Sequence, residues 1–239
     1  MSISLFKKSI HGSGFDAFVY PLKYDTASAA GCSIKLPIPT DGLVFYAPLN
    51  KDDATAVTGQ TLNYEGNVTF QTVDGVPMAN FTNGYIEVDN AVPTGNNPFS
   101  VSLYAKMLGT TDDWPGLVQL STNTSNFATL YTDPEQKCSA VAKADGQDVF
   151  NLLGISDDLT ELQHLVLTYS DKDGVVRAYR NGSFVLETAT SGAWQQESDM
   201  RIGRQRSAHT FPGDISAVRV YDRVLSDREI KALSKEFKI

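Results

Sequence analysis

The chain has 239 residues, 41% of them hydrophobic and 10% aromatic, enough for one large two-sheet core. Its formal charge of −8 argues against a general nucleic-acid binder and against a polybasic membrane anchor. With only Cys32 and Cys138, it is neither a disulfide-stapled scaffold nor a carrier of zinc-ligand spacing.

At the amino end, Met1 to Lys8 lead into no apolar run of signal-peptide length, and no membrane-spanning stretch follows. Residues 1–40 are broken up by Gly12-Ser13-Gly14, Pro21, a small-residue run at 26–31 and Pro37-Ile38-Pro39. That punctuation predicts an extended arm rather than a packed unit. Its apolar side chains Phe15, Phe18, Val19, Tyr20, Leu22, Ile34 and Leu36 need cover. The arm is therefore expected to dock, on its own domain or on a neighbouring subunit. A disordered leader is the alternative.

The globular part is expected over 41–239. Leu43–Ala47 reads as a buried first strand, and short runs at 68–70, 78–81, 85–88, 99–107, 117–120, 128–131, 138–142 and 149–153 follow it. Over 99–107, Phe99, Val101, Leu103, Ala105 and Met107 alternate with Ser100, Ser102, Tyr104 and Lys106, the period of a half-buried strand. Asp74-Gly75, Asn83-Gly84, Asp145-Gly146, Asp173-Gly174 and Asn181-Gly182 supply the positive φ that tight hairpins need. Many short strands with such frequent turns predict an all-β, two-sheet antiparallel sandwich. One helix closes the chain: Ser226 with Glu229 three residues on is a capping box, and Leu225, Ile230, Leu233 and Phe237 give it an apolar stripe.

The last third carries a more specific pattern. His164-Leu165-Val166-Leu167-Thr168-Tyr169 is followed by Tyr179-Arg180-Asn181-Gly182, then by Arg201-Ile202-Gly203-Arg204. Phe211-Pro212-Gly213-Asp214-Ile215-Ser216-Ala217-Val218-Arg219-Val220-Tyr221 closes the series. This resembles the laminin-G-like members of the concanavalin A-like lectin superfamily. The resemblance implies a jelly-roll sandwich used for binding more often than for catalysis. It also implies a structural calcium held through carboxylates and carbonyls. Ser216 and Ala217 stand where that pattern usually has acids, which leaves Asp214 as the single candidate ligand and no other cofactor expected.

Sugar recognition calls for exposed aromatic platforms beside polar forks. Trp114, Tyr131 and Trp194 lie in or beside polar loops, and Arg204, Arg206 and His209 lie between two late strands. These six are the candidate carbohydrate-binding residues, set against the plainer roles of loop anchors and surface ion pairs. His164 starts an apolar strand with no nucleophile-activating neighbour and reads as structural. Glycoside hydrolysis needs two carboxyl groups flanking one bond. Glu87 and Asp89 lack a third same-face acid, and Glu197 and Asp199 fall in an apparent loop, so no catalytic residue is assigned.

The expected function is that of a non-enzymatic binding or structural protein. The first form is a bacteriophage virion component, a capsid decoration or tail appendage, docked on other particle proteins through the arm and binding host-surface polysaccharide. The alternative is a carbohydrate-binding module of a bacterial polysaccharide-degrading system, placed extracellularly or at the bacterial surface. Glycoside hydrolase is the minor alternative. Neither nucleic acid nor membrane is an expected partner; a homo-oligomer is compatible with all three forms.

Overall fold

The structure, a computed structural model, describes residues 37–92, 94–111, 113–192, 194, 197–205 and 209–237. The arm residues Phe15, Phe18, Val19, Tyr20, Leu22, Ile34 and Leu36 lie outside the described residues, as do Cys32 and Arg206. In chain order the strands are β1 (Leu43–Ala47), β2 (Leu62–Val73), β3 (Val76–Val88), β4 (Phe99–Met107), β5 (Gly116–Leu120), β6 (Phe127–Thr132), β7 (Cys138–Ala144) and β8 (Gln147–Ser156). They continue with β9 (Gln163–Ser170), β10 (Val175–Arg180), β11 (Ser183–Ala189), β12 (Met200–Ile202), β13 (Arg204–Gln205), β14 (His209–Thr210) and β15 (Gly213–Tyr221). Helix α1 (Asp227–Leu233) follows.

Hydrogen bonds run through the strands in the order β11-β10-β9-β4-β15-β3-β12-β5-β6-β7-β8, with β1 added on β15 and β2 on β3. The path folds back on itself, so that β8 at one end packs against β10 and β11 at the other. Ser191, just beyond β11, donates its backbone N–H to Val149 of β8 at 2.8 Å. The result is an antiparallel sandwich whose main core includes Phe45, Phe81, Phe99, Leu117, Leu167 and Phe211. A single parallel bridge, Thr210 to Gly116, departs from the antiparallel pattern among the described residues.

Hairpin chemistry follows the turn residues. Asp74-Gly75, Asp145-Gly146 and Asn181-Gly182 hold φ of 52° and 82°, 50° and 78°, and 51° and 78°, the paired positive angles of type I′ turns. Asn83-Gly84 departs from that expectation, because both residues lie inside β3. Gly84 is the register partner of Gly66 in β2, and a Cβ on Gly84 would sit 2.7 Å from the Glu65 carbonyl oxygen. The glycine is there for close approach, not for a turn. On one side of this point β3 pairs with β15 through Ala79 and Asn80; on the other it pairs with β12 through Ile86–Val88. The β2–β3 ribbon thus serves both layers.

β4 is also more buried than its alternation implies. Its core face packs as expected, but Ser100, Ser102 and Tyr104 are buried as well, under the carboxyl-terminal segment. Ser100 Oγ donates to the Arg223 carbonyl at 2.8 Å, and the Tyr104 hydroxyl donates to the Leu233 carbonyl at 2.5 Å. The capping box forms as the spacing predicts, with Ser226 and Glu229 each accepting from the other's backbone N–H. Leu225, Ile230 and Leu233 pack on Val166 and Tyr221, while Phe237 meets Tyr104 edge-on in a separate cluster. Arg219, 2% exposed, reaches Glu236 with both terminal nitrogens at 2.8 and 2.7 Å and lies 4.0 Å over the Tyr46 ring.

Residues 37–40 join this packing: Ile38 sits against the helix cluster, and the Tyr221 hydroxyl donates to the Pro39 carbonyl at 3.1 Å. The described residues belong to one compact unit.

His164 is fully buried between Ser102 and Tyr104, its Nε2 2.9 Å from Ser102 Oγ. Burial first, and then the positive charge of Arg219, push its pKa down to about 3. The imidazole therefore stays neutral in the fold while it protonates in the unfolded chain near 6.5. With the folded value depressed, this contribution is whole above about pH 6.5 and drains away as the pH falls toward 3. Urea titrations across that window should show the wild type losing stability more steeply than His164→Gln, by about 1.4 kcal/mol per pH unit. Parallel pH profiles would contradict a neutral buried imidazole.

Candidate functional site

Alternation in the second layer decides which side chains face outward. In β6, Ala128 and Leu130 belong to the core, which turns Thr129 and Tyr131 to the outer face. In β7, Cys138, Ala140 and Ala142 point inward, which turns Ser139 and Val141 outward. Tyr131 and Gly116 are register partners, as are Thr129 and Val141.

Gly116 is the position that shapes this face. A Cβ there would lie 2.6 Å from both Gln205 Cβ and the Gln205 backbone nitrogen. Glycine therefore lets the β13–β14 hairpin lie directly over β5. The Gln205 side-chain amide donates to the Trp114 carbonyl, and Thr132 N–H donates to the Pro115 carbonyl at 2.9 Å, which fixes the Trp114-Pro115 loop.

These constraints enclose a pocket of about 190 Å³ lined by Trp114, Tyr131, Val141, Gln205 and His209. The Trp114 and Tyr131 rings meet at 55° with centroids 5.7 Å apart, forming an aromatic corner. Trp114 remains 49% exposed at the rim, whereas Tyr131 is 6% exposed. Burial pushes the Tyr131 hydroxyl above its usual pKa range, with a hydrogen bond from Ser139 acting against it, so the phenol is neutral. His209 Nδ1 lies 3.5 Å from Asp113 Oδ2, within ion-pair range but without a formed hydrogen bond. A flat apolar corner beside a carboxylate, an imidazole and an amide can hold a small ring with apolar faces and hydroxyl edges.

The sequence-predicted residues divide sharply. Trp114, Tyr131 and His209 come together in the pocket. Arg204 does not line it; its guanidinium lies 4.3 Å over the Tyr85 ring. Arg206 lies outside the described residues. Trp194 corrects the expectation outright: it is fully buried and packs edge-on against Phe99 at 5.3 Å, so no ligand can stack on it. Sequence reasoning missed Val141, Gln205 and Asp113. The alternation of β7 and the glycine after Trp114-Pro115 were the available signals.

Three of the four acids considered for hydrolysis are committed elsewhere. Glu87 pairs with Arg201 at 2.8 Å across β3 and β12. Glu197 accepts from Ser121 Oγ and Asn123 Nδ2, each at 2.9 Å. Asp199 accepts from the Asn90 N–H at 3.2 Å. None of the three lines the pocket.

Residues 80–231 match the sequence profile of the concanavalin A-like lectin/glucanases superfamily, in a laminin-G-type family. The chain belongs to this superfamily. No curated protein matches it in sequence. Among solved structures, this concanavalin A-like chain is similar to domain 4 of AbnA, an extracellular arabinanase from Geobacillus stearothermophilus, determined in complex with arabinotriose. That match has 15% identity and a TM-score of 0.64 over 80% of this chain and 98% of the other. The binding domain of a botulinum neurotoxin of serotype D/C matches at 12% identity and a TM-score of 0.64, over 81% of this chain and 52% of that one. The binding domain of Paraclostridial Mosquitocidal Protein 1 matches at 14% identity and a TM-score of 0.65, over 81% and 52%. The chain thus spans about half the length of the two toxin domains.

A concanavalin A-like domain with calcium would need several hard oxygen ligands. Asp214 is fully buried, and its Oδ1 accepts from Gln71 Nε2 at 2.7 Å and Asn80 Nδ2 at 2.8 Å. Ser216 Oγ is directed to the Pro48 and Pro77 carbonyls. Among the described residues no group of three or more His, Cys, Asp or Glu side chains converges. Through Oδ1 and the two amides, Asp214 clamps the β2–β3 ribbon on β15, while its Oδ2 is buried without a hydrogen-bond partner.

Proposed function

We propose that this chain is a non-enzymatic carbohydrate-binding module and that the aromatic corner of Trp114 and Tyr131 is its ligand platform. The observation that carries the reading is the convergence of this corner with Val141, Gln205 and His209 around one small pocket, with Asp113 3.5 Å from His209. The likeness to an arabinanase domain solved with arabinotriose, and to toxin binding domains, supports it at the level of the fold. Catalysis finds no support at the pocket, where no pair of carboxylates faces one bond.

A glycan array followed by titration calorimetry tests this reading. Wild type should retain at least one glycan class, and Trp114→Ala should bind it at least about tenfold more weakly. Because Trp114 is half exposed, the same variant should keep its unfolding free energy within about 1 kcal/mol. No retained glycan, or unchanged binding by Trp114→Ala, would overturn the proposal.

A second reading, assembly into a phage particle, draws on the apolar residues of the arm, among them Phe15, Phe18, Tyr20 and Leu22. It places the protein in the virion, with particle proteins as partners of the arm. In density gradients of lysate from the producing cells, the full chain should band with particles and a chain starting at Lys35 should not. Free migration of the full chain would contradict particle docking.

A further inference from the structure

We infer that the pocket takes the terminal sugar of a glycan, with the rest of the chain leaving across β8. This rests on the carbohydrate reading above and adds which part of the polymer is recognised.

Size sets the first constraint. At about 190 Å³ the pocket lies below the roughly 300–1,000 Å³ of sites that enclose a drug-sized ligand. It has room for one small ring and not for a run of them.

The surroundings set the second. Val141 belongs to a register row that runs Gln119, Thr129, Val141, Asn151 across β5, β6, β7 and β8. Toward β5 the row is shut: Gln119 and Thr129 are 0% and 1% exposed. Thr129 Oγ1 donates to the Val118 carbonyl at 3.0 Å, and Gln119 Nε2 donates to the Ser121 carbonyl at 2.6 Å. The β13–β14 hairpin closes the flank over Gly116, where Gln205 is in contact. Among the described residues a second sugar therefore finds no open surface on those sides.

Toward β8 the surface is open. β8 ends the hydrogen-bonded path, and Asn151 and Leu153 are both exposed on its outer face, Leu153 by 63%. Leu153 stands out because its strand neighbours Leu152 and Phe150 are buried in the core. An amide beside an exposed aliphatic side chain offers the next sugar one hydrogen-bonding edge and one apolar face. The described residues thus close the pocket toward β5 and leave it open toward β8, an asymmetry that suits the end of a chain.

The probes are arabinose, arabinotriose, arabinohexaose and linear arabinan, together with the matching glucose series, titrated into the full chain by calorimetry. The monosaccharide should bind, and the trisaccharide should bind up to about tenfold tighter. The hexasaccharide should gain nothing further, and arabinan or glucan should bind in proportion to chain ends rather than mass. Leu153→Ala and Asn151→Ala should remove the trisaccharide's gain and leave monosaccharide affinity unchanged. Affinity that keeps climbing to the hexasaccharide, or several proteins bound per polymer chain, would overturn terminal recognition while leaving carbohydrate binding intact. No heat in either series, with a glycan array also blank, would overturn the carbohydrate reading itself.

Discussion

The bulge in β15 is the constraint on which the rest of the sandwich depends. Every residue of this strand is buried, and it bonds β4 along one edge while its other edge changes partner. Asp214 and Ile215 pair with β3, whereas Val218 to Tyr221 pair with β1. Between them the register with β4 slips from Ser216 to Arg219, and Ala217 holds a φ of +50°. A non-glycine residue in that region costs about 1–3 kcal/mol and persists only where its surroundings determine it. Here they do: Ala217 N–H donates to the Pro48 carbonyl at 3.0 Å, and Ser216 Oγ reaches Pro48 and Pro77 carbonyls at 3.0 and 2.7 Å. Ser216 and Ala217 thus serve the turn of the strand.

Two consequences spread from this strand. Beyond the bulge, Arg219 is aimed at Glu236 and so holds the carboxyl-terminal segment over β4. A buried ion pair of this kind adds little net stability, but losing one partner costs about 3–5 kcal/mol, so it specifies where the segment docks. Before the bulge, Asp214 clamps Gln71 and Asn80, fixing the β2–β3 ribbon just ahead of its Gly66–Gly84 pair. The ribbon then delivers β12 and β5 to the second layer, and the pocket stands on β5, β6 and β7 with the β13–β14 hairpin over them. Site and carboxyl end are therefore both registered against one buried strand.

Much of this was legible in the sequence, for local reasons. The type I′ turns, the capping box and the boundaries of β1 and β4 depend on residues within a few positions of each other, and each formed where its chemistry required. What depended on distant packing was not legible. Asn83-Gly84 has the composition of a hairpin, yet the glycine answers Gly66 across the ribbon. The polar face of β4 looks solvated until the helix covers it. Trp114 and Trp194 sit in similar polar surroundings in the sequence, but Trp194 fills the core beside Phe99 and Trp114 stays at a rim. Val141 and Gln205 join the pocket only because strand register and the missing side chain of Gly116 bring them there.

On this reading, ligand is held on the outer face of β5 to β8, centred on the Trp114 and Tyr131 corner. Amide chemical-shift mapping of the full chain, titrated with the tightest-binding trisaccharide, tests it most directly. Shifts are predicted to cluster at Asp113, Trp114, Tyr131, Val141, Gln205 and His209, with a weaker trail to Asn151 and Leu153. Shifts centred instead on residues 58–61 and 89–90, or around Asn181 and Lys231, would contradict the account.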